Sequence, residues 1–266
     1  MASRLDNLLD TYKSKINDLF ANELTGIYLT GSIVFGEFFE GKSDVDCTVL
    51  LKSPLSIDKL EAVKTIHKNI SIQYKNIPLE SQYISCDNIG KSGADTQPFY
   101  SCLHDNEISL GKHNANEVTW FTLKKHGITV MGVPAGELDI TTSVSDIKSY
   151  VKSNVNSYWK NWLYEACKPI SQKRIIALGN WAIEWCICGI TRMYYTMIKG
   201  DITSKGKAVE YGLSCLPESN HKILHEALRI RYGEKNKFYN SRFVRRKDMI
   251  DYMNYLIELI NNIPVE

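Results

Sequence analysis

The sequence predicts an α/β domain followed by an all-helical domain, and three observations carry that expectation. Short apolar runs with β-branched residues, the mark of strands, occur at 26–30, 45–51, 79–85 and 128–131 and nowhere later. Segments of helical periodicity alternate with them at 4–21, 57–69 and 117–126. From Val144 to the C-terminus only helical patterns follow, punctuated at Pro169, Gly200, Pro217, Gly233 and Pro264. The change comes after Pro134, so the expected domains are 1–140 and 141–266.

Each element has its own warrant. In 4–21, Leu5, Leu8, Leu9, Tyr12, Ile16 and Leu19 fall on one side of a helix. Gly26-Ile-Tyr-Leu-Thr30 reads as a strand, and Gly31-Ser32 breaks it and is expected to open a helix. Val45 to Leu51 reads as a second strand, polar only at its start. Leu79 to Ser85 alternates like a third. The stretch from Cys86 to Asn116 has weak signals and is expected to be loop-rich. Trp181 to Ile198 is the most apolar stretch, but Glu184 and Arg192 interrupt it, so it reads as a buried helix rather than a membrane span.

Composition narrows the class. With 44% hydrophobic and 23% charged residues, the chain reads as a soluble globular protein. A net charge of +2 is low for a protein that grips long nucleic acid, so a small ligand is the expected partner. The seven cysteines form no CxxC pair, which suggests neither a disulfide framework nor a zinc knuckle and fits a reducing cytoplasm. No apolar signal core follows Met1.

The chemistry is concentrated in Thr30-Gly31-Ser32 and, eleven residues on, Asp44-Val45-Asp46. Alternate strand residues share a face, so the two carboxylates project together, about 6–7 Å apart along the chain. Such a pair repels itself unless a cation intervenes, and magnesium accepts carboxylate and phosphate oxygens together. Gly31 lets backbone approach a phosphate, and Ser32 offers a hydroxyl and an N–H. One element that grips phosphate beside one that holds metal is the equipment of phosphoryl or nucleotidyl transfer. A third carboxylate is needed as ligand or general base. Glu80, on the next strand with apolar Leu79 and Ile84 nearby, is the choice over Asp87, which sits in a turn-like segment.

The run from Tyr28 to Leu51, YLTGSIVFGEFFEGKSDVDCTVLL, resembles the nucleotidyltransferases with a DNA-polymerase-β-like catalytic domain. Two further runs resemble the aminoglycoside adenylyltransferases that act on streptomycin and spectinomycin. They are KKHGITVMGVPA (Lys124 to Ala135) and ITRMYYTMIKGDITSK (Ile190 to Lys205), with Ala208 and Leu216-Pro217 extending the match. The resemblance implies an N-terminal domain that holds ATP and magnesium and a helical domain that closes the active-site cleft. Asp44 and Asp46 would be metal ligands and Glu80 the base, with Gly31, Ser32, Arg192 and Lys205 on the nucleotide. The streptomycin-modifying members carry acidic residues just before the helix that holds Arg192. Here 169–180 has none and Glu184 is the nearest, which points away from streptomycin. Glu184 and Trp181 are the candidate acceptor contacts; Tyr158, Trp159 and Trp162 could line an acceptor pocket, though core packing suits most of these aromatics better.

The expected function is therefore ATP-dependent O-adenylylation of an aminoglycoside or aminocyclitol antibiotic, conferring resistance. The alternatives are the same chemistry on a lincosamide, favoured by a more apolar cleft, and a non-catalytic nucleotidyltransferase-like partner protein. The HxxxH spacing of His221 and His225 lacks the Glu of a zinc protease. Arg242, Arg245, Arg246 and Lys247 read as a solvated basic face.

Overall fold

The computed structural model describes residues 3–103 and 107–265. The chain divides after Thr142 into two compact units.

The first unit is a six-stranded sheet with helices on both faces. Its strands are β1 (Leu24–Thr30), β2 (Val45–Leu51), β3 (Leu79–Ser85), β4 (Phe99–Leu103), β5 (Glu107–Gly111) and β6 (Ile128–Met131), in spatial order β5-β4-β3-β2-β1-β6. Only β2 and β3 run parallel, joined by the crossover helix α2 (Ile57–Gln73); the other pairs are antiparallel. Helix α1 (Arg4–Phe20) starts at a capping box between Ser3 and Asp6. It buries Leu8, Tyr12, Ile16 and Phe20 at four-residue spacing. These pack with Val45, Cys47, Val49 and Leu51 of β2 and Val63 and Ile70 of α2. The opposite face carries Tyr28, Leu50, Ile84 and Phe99, covered by Trp120 and Leu123 of α3 (Glu117–His126).

This two-sided burial fixes register. Slipping β2 by one residue would drive Asp46 and Thr48 into the α1/α2 core and expel Val45, Cys47 and Val49. Burying each such aliphatic side chain stabilises by about 1.5–3 kcal/mol, so the slip is strongly disfavoured. A hydrogen-bonded network pins the same layer: the Tyr12 hydroxyl meets Ser81 Oγ at 2.9 Å and the Tyr83 hydroxyl at 2.8 Å, and His67 Nε2 lies 2.8 Å from that Tyr83 oxygen. Burial holds His67 neutral, with its pKa lowered to about 4.

Two expectations for this unit need correction. The stretch from Cys86 to Asn116 is not simply loop: its described residues include β4 and β5, whose short segments are interrupted by polar residues that hide the strand pattern. His104, Asp105 and Asn106 of that stretch lie outside the described residues. Gly31-Ser32 opens only a five-residue 3₁₀ turn, Gly31–Phe35, and not an α-helix, because Gly36 turns left-handed at φ 73° and stops it.

The second unit is all helix: α4 (Val144–Asn154), α5 (Lys160–Cys167), α6 (Gln172–Ile176), α7 (Asn180–Lys199), α8 (Lys205–Cys215), α9 (His221–Tyr232) and α10 (Arg242–Asn262). A π-helical turn, Val155–Trp159, joins α4 to α5. Helix α7 is the hub. Ile183, Ile187 and Ile190 are fully buried, sharing one core with Leu224 and Ala227 of α9 and Tyr252 and Leu256 of α10. No helix among the described residues is long and apolar enough to cross a membrane.

Candidate active site

The carboxylate site follows directly from the β2–β3 register. Asp46 pairs with Glu80 across the two parallel strands, and Asp44 stands two residues before Asp46 at the mouth of β2. Carboxylate oxygens of Asp44, Asp46 and Glu80 lie within 4.8 Å of one another, and this is the one such acidic, His or Cys group of three among the described residues. β3 is an interior strand, flanked by β2 and β4, so Glu80 is not an edge residue. Asp87 is exposed in the turn after β3 and outside the cluster. One rung further on, Gln82 Nε2 donates to Thr48 Oγ1 at 2.7 Å, tying the same two strands on the same face.

Gly31 closes against this cluster. Its φ of +70° is in the left-handed region, and a Cβ there would lie 1.7 Å from Asp46 Oδ2. Thr30 pairs with Asp46 across β1 and β2, so the strand pairing itself brings the Gly31-Ser32 turn onto the aspartate. Three hard oxygen donors converging on one point suit a divalent cation such as magnesium, which ordinarily binds through one or two carboxylates plus phosphate oxygens. The environment shows the charge: burial pushes the Cys102 thiol up to about 12, and the nearby Glu80 carboxylate adds to that rise. Burial likewise raises Cys47 to about 12, with Asp46 contributing.

A second charged group lies in the helical unit. Glu184, Cys188 and Arg192 recur every fourth residue along α7 and so share one face. Arg231 of α9 reaches Glu184, Nη1 to Oε1, at 3.3 Å. Lys205 is the first residue of α8, behind the N-cap Ser204, rather than a loop lysine. Burial pulls its ammonium below the usual lysine range; Arg192 and Arg231 deepen the depression, while Glu184 and Cys188 oppose it. Arg192, Lys205, Arg231 and Glu184 thus form one electrostatic group, from which the sequence reading missed Arg231.

Comparison with known proteins agrees with both halves. Residues 9–85 match the family model for a nucleotidyltransferase domain, and residues 179–255 match that for the C-terminal domain of aminoglycoside adenylyltransferases. The two matches together support the aminoglycoside adenylyltransferase family for this chain. It is similar to spectinomycin 9-adenylyltransferases of Staphylococcus aureus, including strains Mu50 and N315, at 24% identity over 91% of either chain. Its fold matches a crystal structure of a spectinomycin adenyltransferase from Enterococcus faecialis solved with ATP and spectinomycin. That match has a TM-score of 0.66 at 16% identity and covers 95% of this chain and 98% of the other. The enzyme is a nucleotidyltransferase with the expected α/β domain and helical C-terminal region.

The remaining sequence candidates in this adenylyltransferase divide by burial. Trp159 and Trp162 are core residues, packed on Trp185. Trp181 is 62% exposed and stacks on Trp185 with centroids 5.4 Å apart, and Tyr158 is exposed beside it. The basic run does not form a uniformly solvated face. Arg245 is buried, donating to Glu226 and Asn180 at 2.8 Å, and Arg246 donates to the Ala166 carbonyl, tying α10 to its neighbours. His221 Nε2 lies 2.9 Å from the Leu216 carbonyl oxygen, so that ring serves the turn before α9.

Proposed function

We propose that this enzyme transfers AMP from ATP to a hydroxyl of an aminoglycoside or aminocyclitol antibiotic, with spectinomycin the leading acceptor. The observation that carries the reading is the convergence of Asp44, Asp46 and Glu80 on one point at the Gly31 turn. The relatives named above act on spectinomycin, and the absence of acidic residues at 169–180 removes the carboxylates that a polycationic acceptor such as streptomycin needs.

Asp44 and Asp46 would hold magnesium, with Gly31 and Ser32 against the phosphates. Bound there, magnesium supplies charge neutralisation on the phosphate oxygens. Glu80 takes the proton of the acceptor hydroxyl as its oxygen bonds to the α-phosphorus. Pyrophosphate leaves as the α–β bridging bond breaks, and the cations Arg192 and Lys205 stabilise that departing charge. Trp181, an exposed ring face, is kept as an acceptor contact. All seven cysteines are unpaired, and with ATP as donor this supports a cytoplasmic site of action.

The test is incubation of the protein with ATP, magnesium and a panel of spectinomycin, streptomycin and lincosamides, read by mass. Spectinomycin gaining one AMP is the expected result. Modification of a lincosamide alone would move the acceptor class, and no AMP transfer to any antibiotic would overturn the reading.

A further inference from the structure

Glu184 is the first acid after the acid-free segment before α7 and lies on the helix of Arg192, which makes it the obvious carboxylate for a cationic acceptor. The structure gives it other company. It pairs with the buried guanidinium of Arg231 and shares a face of α7 with Arg192, two turns on. Helix α8 begins at Lys205, which feels Glu184, Arg192, Arg231 and Cys188 together. A lysine at the first position of a helix also meets the positive end of that helix's dipole, which disfavours its charge. Three cations drawn from α7, α8 and α9 therefore share the electrostatic influence of one carboxylate.

We infer that Glu184 is a positioning residue of the nucleotide side: paired with Arg231, it holds Lys205 and Arg192 together as a cationic pair for the triphosphate, and it does not bind the acceptor. The inference rests on the reading above in which Arg192 and Lys205 serve ATP. Its physical content is a counter-charge. Lys205 is the one member of the group whose charge is readily lost, since the guanidinium groups stay protonated. Burial, Arg192 and Arg231 push Lys205 toward the neutral amine, while Glu184 and the Cys188 sulfur push the other way; a helix N-terminus acts in the same sense as the cations. Cys188 is itself raised to about 12 by burial and so stays a thiol over the working range, leaving Glu184 as the effective anion. Without that anion, Lys205 would lose its proton at lower pH and the site would lose a phosphate contact.

The experiment measures the KM for ATP and for the acceptor across pH in wild type, Glu184→Gln and Lys205→Ala. Glu184→Gln is expected to move the alkaline limb of kcat/KM for ATP down by about one pH unit, the size of shift a neighbouring opposite charge produces. The ATP KM at alkaline pH rises about tenfold with it, and the acceptor KM stays unchanged. Because Glu184→Gln alone leaves Arg231 buried beside a neutral amide, the double variant Glu184→Gln, Arg231→Met is measured too. It removes the anion and one of the depressing cations together, so the limb returns toward the wild-type position, whereas a packing defect would persist. A raised acceptor KM with an unchanged ATP KM would overturn the inference and assign Glu184 to the acceptor. An unshifted limb in Glu184→Gln, with Lys205→Ala impaired for ATP, would overturn the inference alone. Unimpaired ATP binding by Lys205→Ala would overturn both it and the role given to that lysine.

Discussion

The two charged groups of this protein are built by opposite means. The acidic group comes from strand pairing: Asp46 and Glu80 are neighbours because β2 and β3 run parallel in one register, and Asp44 follows from the two-residue period. The cationic group comes from helix packing: Arg192, Lys205 and Arg231 sit on three helices, and only Glu184 and Arg192 are related by sequence spacing. A sheet whose faces are both buried leaves little freedom for its carboxylates. Long cations at helix faces and helix ends depend instead on a counter-charge and on local burial. Rigid placement suits ligands and base, whose geometry must be held to a fraction of an ångström. Tunable charge suits groups that need only neutralise a polyanion.

Substitutions in the acidic group should therefore be the more damaging. Asp44→Asn or Asp46→Asn should lower turnover roughly a thousandfold or more, since metal contributes several kcal/mol to the transition state and each ~1.4 kcal/mol is tenfold in rate. Thermal unfolding of these variants should stay near wild type, and chelation by EDTA should reproduce the loss in the unmodified enzyme. Turnover that survives EDTA would remove metal from the account.

Glu80→Gln should cost about a hundred- to ten-thousandfold in kcat with little change in either KM, because a general base acts in the transition state. Asp87→Asn, in the exposed turn beyond the same strand, is the matched control and should be mild. The reverse pattern would transfer the base to Asp87.

Gly31→Ala should follow, at about a hundredfold loss of kcat/KM. A methyl 1.7 Å from Asp46 Oδ2 displaces that carboxylate, and misplacement by about 1 Å is worth that much. Equal activity in the two proteins would show that the turn relaxes away from Asp46.

The smallest effects belong to the helical unit. Arg192→Ala and Lys205→Ala should each weaken ATP binding about tenfold or somewhat more, the loss of one hydrogen bond to a charged group, and leave acceptor binding unchanged. Calorimetry with ATP alone reads this directly. Losses that match those of the aspartates would erase the contrast between the groups.

The same contrast explains what was legible in the sequence. β2, β3, β6 and α3 read to the residue, because a short strand pattern between turn signals and a capped helix declare themselves locally. Asp44 and Asp46 were readable as a pair for the same reason, since period-two geometry is carried by the sequence, whereas Glu80 joins them through the parallel register of β2 and β3. β4 and β5 were not, because Ser101 and Ser109 place polar residues inside short strands, and the pairing of β4 with β3 that ties the two to the sheet is long-range. The turn at Gly31 was overread as an α-helix, since a left-handed Gly36 five residues on leaves no room for one. Arg231 could not be found from spacing: it lies 47 residues from Glu184, and only the packing of α9 on α7 brings them together. Arg245 was misread as a surface residue because its partner Glu226 is likewise distant in sequence and fully buried. Carboxylates of a sheet are thus written in the local pattern, whereas ion pairs between helices are written in the fold.

The central claim is that the three carboxylates drive nucleotidyl rather than phosphoryl transfer. Its most direct test follows a label from ATP to spectinomycin, with the label on either the α- or the γ-phosphate, in wild type and Glu80→Gln. Transfer of the α-label but not the γ-label, dependent on magnesium and nearly abolished in Glu80→Gln, is the result the account predicts. Transfer of the γ-label, or α-label transfer undiminished in Glu80→Gln, would contradict it.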